Sequence, residues 1–161
     1  VSGRVADHRV PVATSLHRWE SLTSLHWSYP PRAVAPLLPD GLEVDVLDGR
    51  AWVGLTPFVM RDVRLGALPP PRAWARFVEV NVRTYVRHPA SATDGIWFLA
   101  LLAPSRAVVA GLRQLGLPYV HAATVTGLRT PLLRACGLPP PSGPPHALWS
   151  RGVGVPRPSL P

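Results

Sequence analysis

The sequence predicts a mainly β domain, an antiparallel sheet with one main helix, and three stretches carry that prediction. In FVEVNVRTYVR (77–87) the even positions Val78, Val80, Val82, Thr84 and Val86 are all valine but one. The odd positions are Phe77, Glu79, Asn81, Arg83, Tyr85 and Arg87, and a period of two belongs to a strand. LEVDVLDGRAWVGL (42–55) sets two β-prone runs around Asp48-Gly49, a pair that suits a two-residue type I′ turn, so it reads as a hairpin. PSRAVVAGLRQLG (104–116) is the one amphipathic helix, with Pro at its first position, apolar residues at 108, 109, 112 and 115, and Gly116 as its stop.

The other elements follow in chain order. WESLTSLHWSY (19–29) alternates loosely and suits one strand. PPRAVAPLLPDG (30–41) opens on two prolines, allows about one helical turn and closes on Pro39, Asp40 and Gly41. The hairpin's second arm runs through Thr56 and Pro57 into FVM; Pro57 has no N–H to donate, which suggests a bulge or an edge there. RLGALPPPRAW (64–74) reads as a loop and RHPASATDG (87–95) as a turn. IWFLALLA (96–103) reads as a fully buried strand, and a short strand is expected around PYVHAATV (118–125). Trp27, Trp52, Trp74 and Trp97 are expected to pack in the interior, and Arg32, Arg61 and Arg64 to be solvated.

Length and composition narrow the function. A chain of 161 residues, 47% hydrophobic with mean hydropathy +0.13, suits one globular domain with a sizeable core. The longest apolar run, 96–103, is under half of a bilayer-spanning helix, and VSGRVADHRVPVATS lacks the apolar core of a signal peptide. No membrane partner and a cytoplasmic location are the expectation. Cys136 is alone, and His8, His17, His88 and His146 show no zinc spacing, so neither a disulfide nor a metal is expected, nor any cofactor. There is no P-loop, dinucleotide fingerprint or Gly-x-Ser-x-Gly elbow.

The net charge of +8 does not point to nucleic acid. All 17 basic residues are Arg, which fits GC-rich coding, and the excess lies in a Pro-rich tail rather than on a patterned face. From 127 onward the chain holds nine prolines, no acid and no credible strand or helix pattern. A disordered Pro/Arg-rich tail and translation out of frame both fit, lone Trp149 and Cys136 fitting the second better; either way disorder is expected.

LHWSYPPRAVAPLLPDGLEVDVLDGRAWVGLTPFVMRDVR, FVEVNVRTYVR and GLPYVHA together resemble the YqjF-like family of uncharacterised bacterial proteins, within the acetoacetate-decarboxylase-like superfamily. The resemblance spans roughly residues 16–124. It implies a cone-shaped antiparallel β-barrel with an interior cavity and a few helices at its side. Relatives continue with further strands where this chain becomes Pro-rich, so the barrel is expected to be incomplete at its C-terminus. That gives an extension (1–15), a truncated barrel domain (16–126) and a tail (127–161). The decarboxylases carry Gly-x-Pro-Lys-Lys, whose first lysine forms a Schiff base. The matching stretch here is Gly116-Leu117-Pro118-Tyr119-Val120, and the sequence contains no lysine at all, so that mechanism is excluded for these residues.

Within such a barrel the odd face of 77–87 lines the cavity; in an arbitrary sheet it would simply face solvent. Glu79 stands near the superfamily's active-site carboxylate and is the candidate general acid/base, its pKa raised by burial and lowered by Arg83. Arg83 is the candidate anchor for a carboxylate or enolate oxygen, with Asn81 and Tyr85 as hydrogen-bonding partners for a carbonyl. A structural Glu79–Arg83 salt bridge is the plain alternative. His26, Tyr119 and His121 complete the candidate ligand-binding set, although a core His26 and a backbone-bonded His121 are the ordinary readings. The expected partner is a small carbonyl or carboxylate compound, with self-association also compatible; whether any reaction is catalysed stays open. The competing reading is a non-functional truncated or frameshifted product.

Overall fold

The computed structural model describes residues 15–65, 76–122 and 133–149. They form a mainly β structure whose elements run β1 (Ser15–Glu20), β2 (Thr23–Tyr29), α1 (Pro31–Val34), a 3-10 turn (Ala35–Leu37), β3 (Glu43–Val44), β4 (Val46–Leu47), β5 (Arg50–Leu65), β6 (Arg76–His88), β7 (Thr93–Ala103), α2 (Arg106–Arg113), β8 (Tyr119–His121) and β9 (His146–Trp149). The sheet is ordered β8-β7-β6-β5-β2-β9, with β1 and β4 also paired to β5 and β3 to β6. Among the described residues it is open. All pairs are antiparallel except β7 with β8, which the crossover through α2 makes parallel.

Long β5 and β6 are the backbone of this sheet, in register from Val53↔Thr84 to Arg61↔Arg76. The expected turn at Asp48-Gly49 forms with φ of 53° and 71°, the two left-handed residues that a type I′ turn needs. The hairpin's first arm splits, however: β4 pairs with β5, whereas β3 crosses to β6. The single strand expected over 19–29 is broken as well. Ser21 takes φ 51°, and between Glu20↔Val59 and Leu25↔Leu55 one strand has a residue more than its partner. Pro57 lies opposite that irregularity, where a missing donor costs least.

The two faces of β6 do different jobs. Val80, Val82 and Val86 are buried, and Val80 and Val82 pack in the main core with Trp27, Tyr29, Val34, Val53, Leu55, Ala100 and Leu102. A second cluster, on the face of Glu79, puts Val108 and Val109 of α2 against Leu101, Ala103 and Tyr119. Helix α2 begins two residues later than expected: Ser105 is its cap, its Oγ accepting from the Val108 N–H at 3.3 Å, and Pro104 stays outside. It ends before Leu115, which is consequently 72% exposed.

Further expectations meet mixed outcomes. Only 100–103 of IWFLALLA is buried; Ile96 and Trp97 are exposed because the outer part of β7 is not covered. Trp27 is buried and Trp52 half-buried, while Trp74 and the loop at 66–74 lie outside the described residues. Arg61 is half-buried, its Nε 2.9 Å from Glu20. Finally, the Pro-rich segment is partly built into the fold. Leu133 and Leu138 are buried in the main core, the Tyr29 hydroxyl donates to the Pro139 carbonyl at 3.3 Å, and β9 pairs with β2. Leu133 and Leu138 carry no periodic pattern along the chain, and the core they fill is formed by distant strands. Residues 127–132 and 150–161 lie outside the described residues.

Candidate functional site

Alternation along β6 aims Glu79, Asn81, Arg83 and Tyr85 at the face opposite the main core. Glu79 and Asn81 are each only 3% exposed; Arg83 and Tyr85 are half-buried. Register brings in the neighbours. Glu79 lies opposite Phe58, Asn81 between Thr56 and Leu101, and Arg83 between Gly54 and Phe98. On the next strand His26 pairs with Gly54, in the same row as Arg83.

Two groups result. At the inner end Tyr119 of β8 donates its hydroxyl hydrogen to Glu79 Oε2 at 2.9 Å, both side chains being buried. Burial pushes the Glu79 carboxyl up to about 7, and the Tyr119 hydrogen bond pulls the other way without offsetting it. Burial and the adjacent carboxylate together raise the Tyr119 phenol far above its ordinary range. No ion pair joins Glu79 to Arg83: four residues apart on a strand, they are separated by roughly 13 Å along it. The expected lowering of the Glu79 pKa by arginine therefore comes from tyrosine instead.

At the open end His26 Nε2 and the Tyr85 hydroxyl share a hydrogen bond of 2.7 Å, their rings stacked with centroids 5.8 Å apart. Gly54 forms the floor. A Cβ there would sit 2.9 Å from His26 Nε2 and 3.5 Å from Arg83 Cγ, so glycine is what lets both side chains lie across β5. Ser24 and Thr56 hydroxyls bond to each other at 3.2 Å one row further in. Two buried atoms are left over. Asn81 Oδ1 and Arg83 Nε have no hydrogen-bond partner among the described residues. Such orphans are rare in folded proteins, and each costs about 1–3 kcal/mol if left bare.

Residues 17–130 match DUF2071, described as "Uncharacterized conserved protein (COG2071)". The chain belongs to the DUF2071 family. The uncharacterized protein YqjF of Bacillus subtilis (strain 168) is 34% identical over 105 residues, which are 65% of this chain and 43% of YqjF. The chain thus spans less than half the length of that DUF2071 relative. Solved structures with a similar chain path include an acetoacetate decarboxylase from Legionella pneumophila (18% identity, 73% of this chain and 44% of that one, TM-score 0.49). Another is the enduracididine biosynthesis enzyme MppR, complexed with the condensation product of pyruvate and imidazole 4-carboxaldehyde (13% identity, 65% and 39%, TM-score 0.49).

Six of the seven candidate residues of this DUF2071 chain thus share one face: His26, Glu79, Asn81, Arg83, Tyr85 and Tyr119. His121 stands apart. It is exposed, shares a hydrogen bond of 3.1 Å with the Pro104 carbonyl, and lines a shallow groove of about 250 Å³ with Arg106, Val109, Ala110 and Arg113. None of the β6 residues lines that groove. Gly54, Ser24 and Thr56 were missed from sequence. A glycine inside the otherwise large-residue strand run WVGLT is itself the signal of a close approach and could have found the first of them. No helix among the described residues is long and apolar enough to cross a membrane.

Proposed function

We propose that the 79–85 face binds a small oxygenated acid, a carbonyl or carboxylate compound, held by Arg83 and without a covalent bond to the protein. The observation that carries this reading is the unsatisfied Arg83 Nε: a buried donor on a permanently cationic group with no ion pair among the described residues. A guanidinium so placed recognises a carboxylate, whose two oxygens match its fork, or the single charged oxygen of an enolate. Tyr85 and His26 stand beside it to contact the same ligand. Glu79, with a pKa of about 7, is suited to take and return a proton near neutral pH should the bound carbon acid ionise. No lysine Schiff base of the decarboxylase kind arises from these 161 residues, because none is a lysine. The same reading takes the open sheet as part of the barrel that the resemblance implies, with β8 and β9 flanking the gap.

The test is a panel of short keto and hydroxy acids screened for a rise in melting temperature. A rise abolished in Arg83→Ala and kept in Arg64→Ala is expected, Arg64 being exposed on β5. Equal rises in wild type and Arg83→Ala would remove the anchor and the reading with it. Sodium borohydride with acetoacetate should leave the mass of the chain unchanged.

A further inference from the structure

The second orphan atom says what kind of acid. Asn81 Oδ1 accepts hydrogen bonds and cannot donate them, so only a donor satisfies it. The protein supplies none among the described residues. Thr56, opposite Asn81 on β5, is turned to Ser24; Leu101, opposite it on β7, is apolar; and the Tyr119 hydrogen is committed to Glu79. Two residues along the same face, Arg83 Nε presents the complementary need, a donor without an acceptor. Side chains so placed on a strand are roughly 6.6 Å apart, a gap that a hydroxyl and a carboxylate on adjacent carbons can bridge with one hydrogen bond at each end.

We infer that the ligand carries a hydroxyl-type donor beside its acid group: a 2-hydroxy acid or its enol equivalent, rather than a keto acid. This rests on the binding reading above and deepens it. A keto acid offers acceptors only. It satisfies Arg83 and leaves Asn81 bare, whereas the hydroxy acid satisfies both. A site built to bond a ligand hydroxyl discriminates strongly against an analogue that lacks it, because the unmet protein group is the cost of the wrong ligand.

The experiment compares 2-hydroxybutyrate, 2-ketobutyrate and 2-methoxybutyrate on the full chain by titration calorimetry. The hydroxy acid is expected to bind roughly ten- to hundredfold tighter than the keto acid. The methoxy acid, with the hydroxyl hydrogen replaced, should behave like the keto acid, and this comparison needs no variant to fold. Asn81→Leu should erase the preference, while Arg83→Ala should weaken all three alike. Equal or tighter binding of the keto acid, as an inward-turned Asn81 NH2 would give, overturns the inference and leaves the Arg83 site standing. Failure of all three acids to bind overturns both.

Discussion

Glu79 makes the stability of this protein depend on pH in a direction opposite to that of most carboxylates. Its pKa rises from 4.5 to about 7 on folding, so the folded state holds the proton more tightly than the unfolded one. The stability this confers is fully present below about pH 4.5, falls as pH rises through 7, and is gone above it. A shift of this size corresponds to roughly 3 kcal/mol at 1.36 kcal/mol per pH unit, of which about 2.5 kcal/mol falls between pH 5 and 8.5. Glu79→Gln cannot ionise, yet its amide oxygen still accepts from Tyr119. The variant carries a constant offset for its buried NH2 group, and its curve lacks the pH dependence that Glu79 brings. Thermal melts of both proteins from pH 5 to 8.5 give the difference directly. At 2–4 °C per kcal/mol for a chain of this size, the Tm gap should change by roughly 5–10 °C across that range, in favour of the variant at high pH. Parallel curves would show that Glu79 does not change ionisation differently on folding, and the burial argument would be wrong.

Other perturbations probe separate parts of the structure. Gly54→Ala should displace His26, break its bond to Tyr85 and cost about 1–3 kcal/mol by overpacking, seen as lower stability and a moved His26 ring resonance; an unmoved resonance would contradict the close approach. Leu133→Ala should cost about 2–5 kcal/mol in denaturant melts, and no loss would show that the Pro-rich segment is not docked in the core. Ser105→Ala should cost about 0.5–2 kcal/mol by uncapping α2.

What the sequence revealed was governed by local periodicity and turn chemistry. The β6 alternation, the Asp48-Gly49 turn and the 108/109/112 stripe each need only neighbours along the chain, and each formed. The failures have one cause. Whether Ile96 is covered, whether Leu133 finds a core and whether β8 runs parallel are decided by residues dozens of positions away. So is the main partner of Glu79. Arg83 was the natural choice because it sits on the same face of the same strand, but strand geometry puts it too far off. Tyr119, 40 residues on, reaches Glu79 because α2 returns the chain parallel to β7 and lays β8 along the sheet edge.

That exchange of partners has its own measurable consequence. An arginine beside Glu79 would hold the carboxylate ionised at all physiological pH. A tyrosine merely tempers the effect of burial, because a neutral hydroxyl stabilises the anion by one hydrogen bond and adds no charge. Tyr119→Phe should therefore move the Glu79 titration above 7, and with it the pH window in which stability is lost. Carbon-13 NMR of the Glu79 carboxyl follows this without relying on stability, and Arg83→Ala serves as the control. A titration that shifts with Arg83→Ala and ignores Tyr119→Phe would restore the arginine–carboxylate pair. The opposite result leaves Arg83 with its charge unspent, as a site for an acid from outside the chain requires.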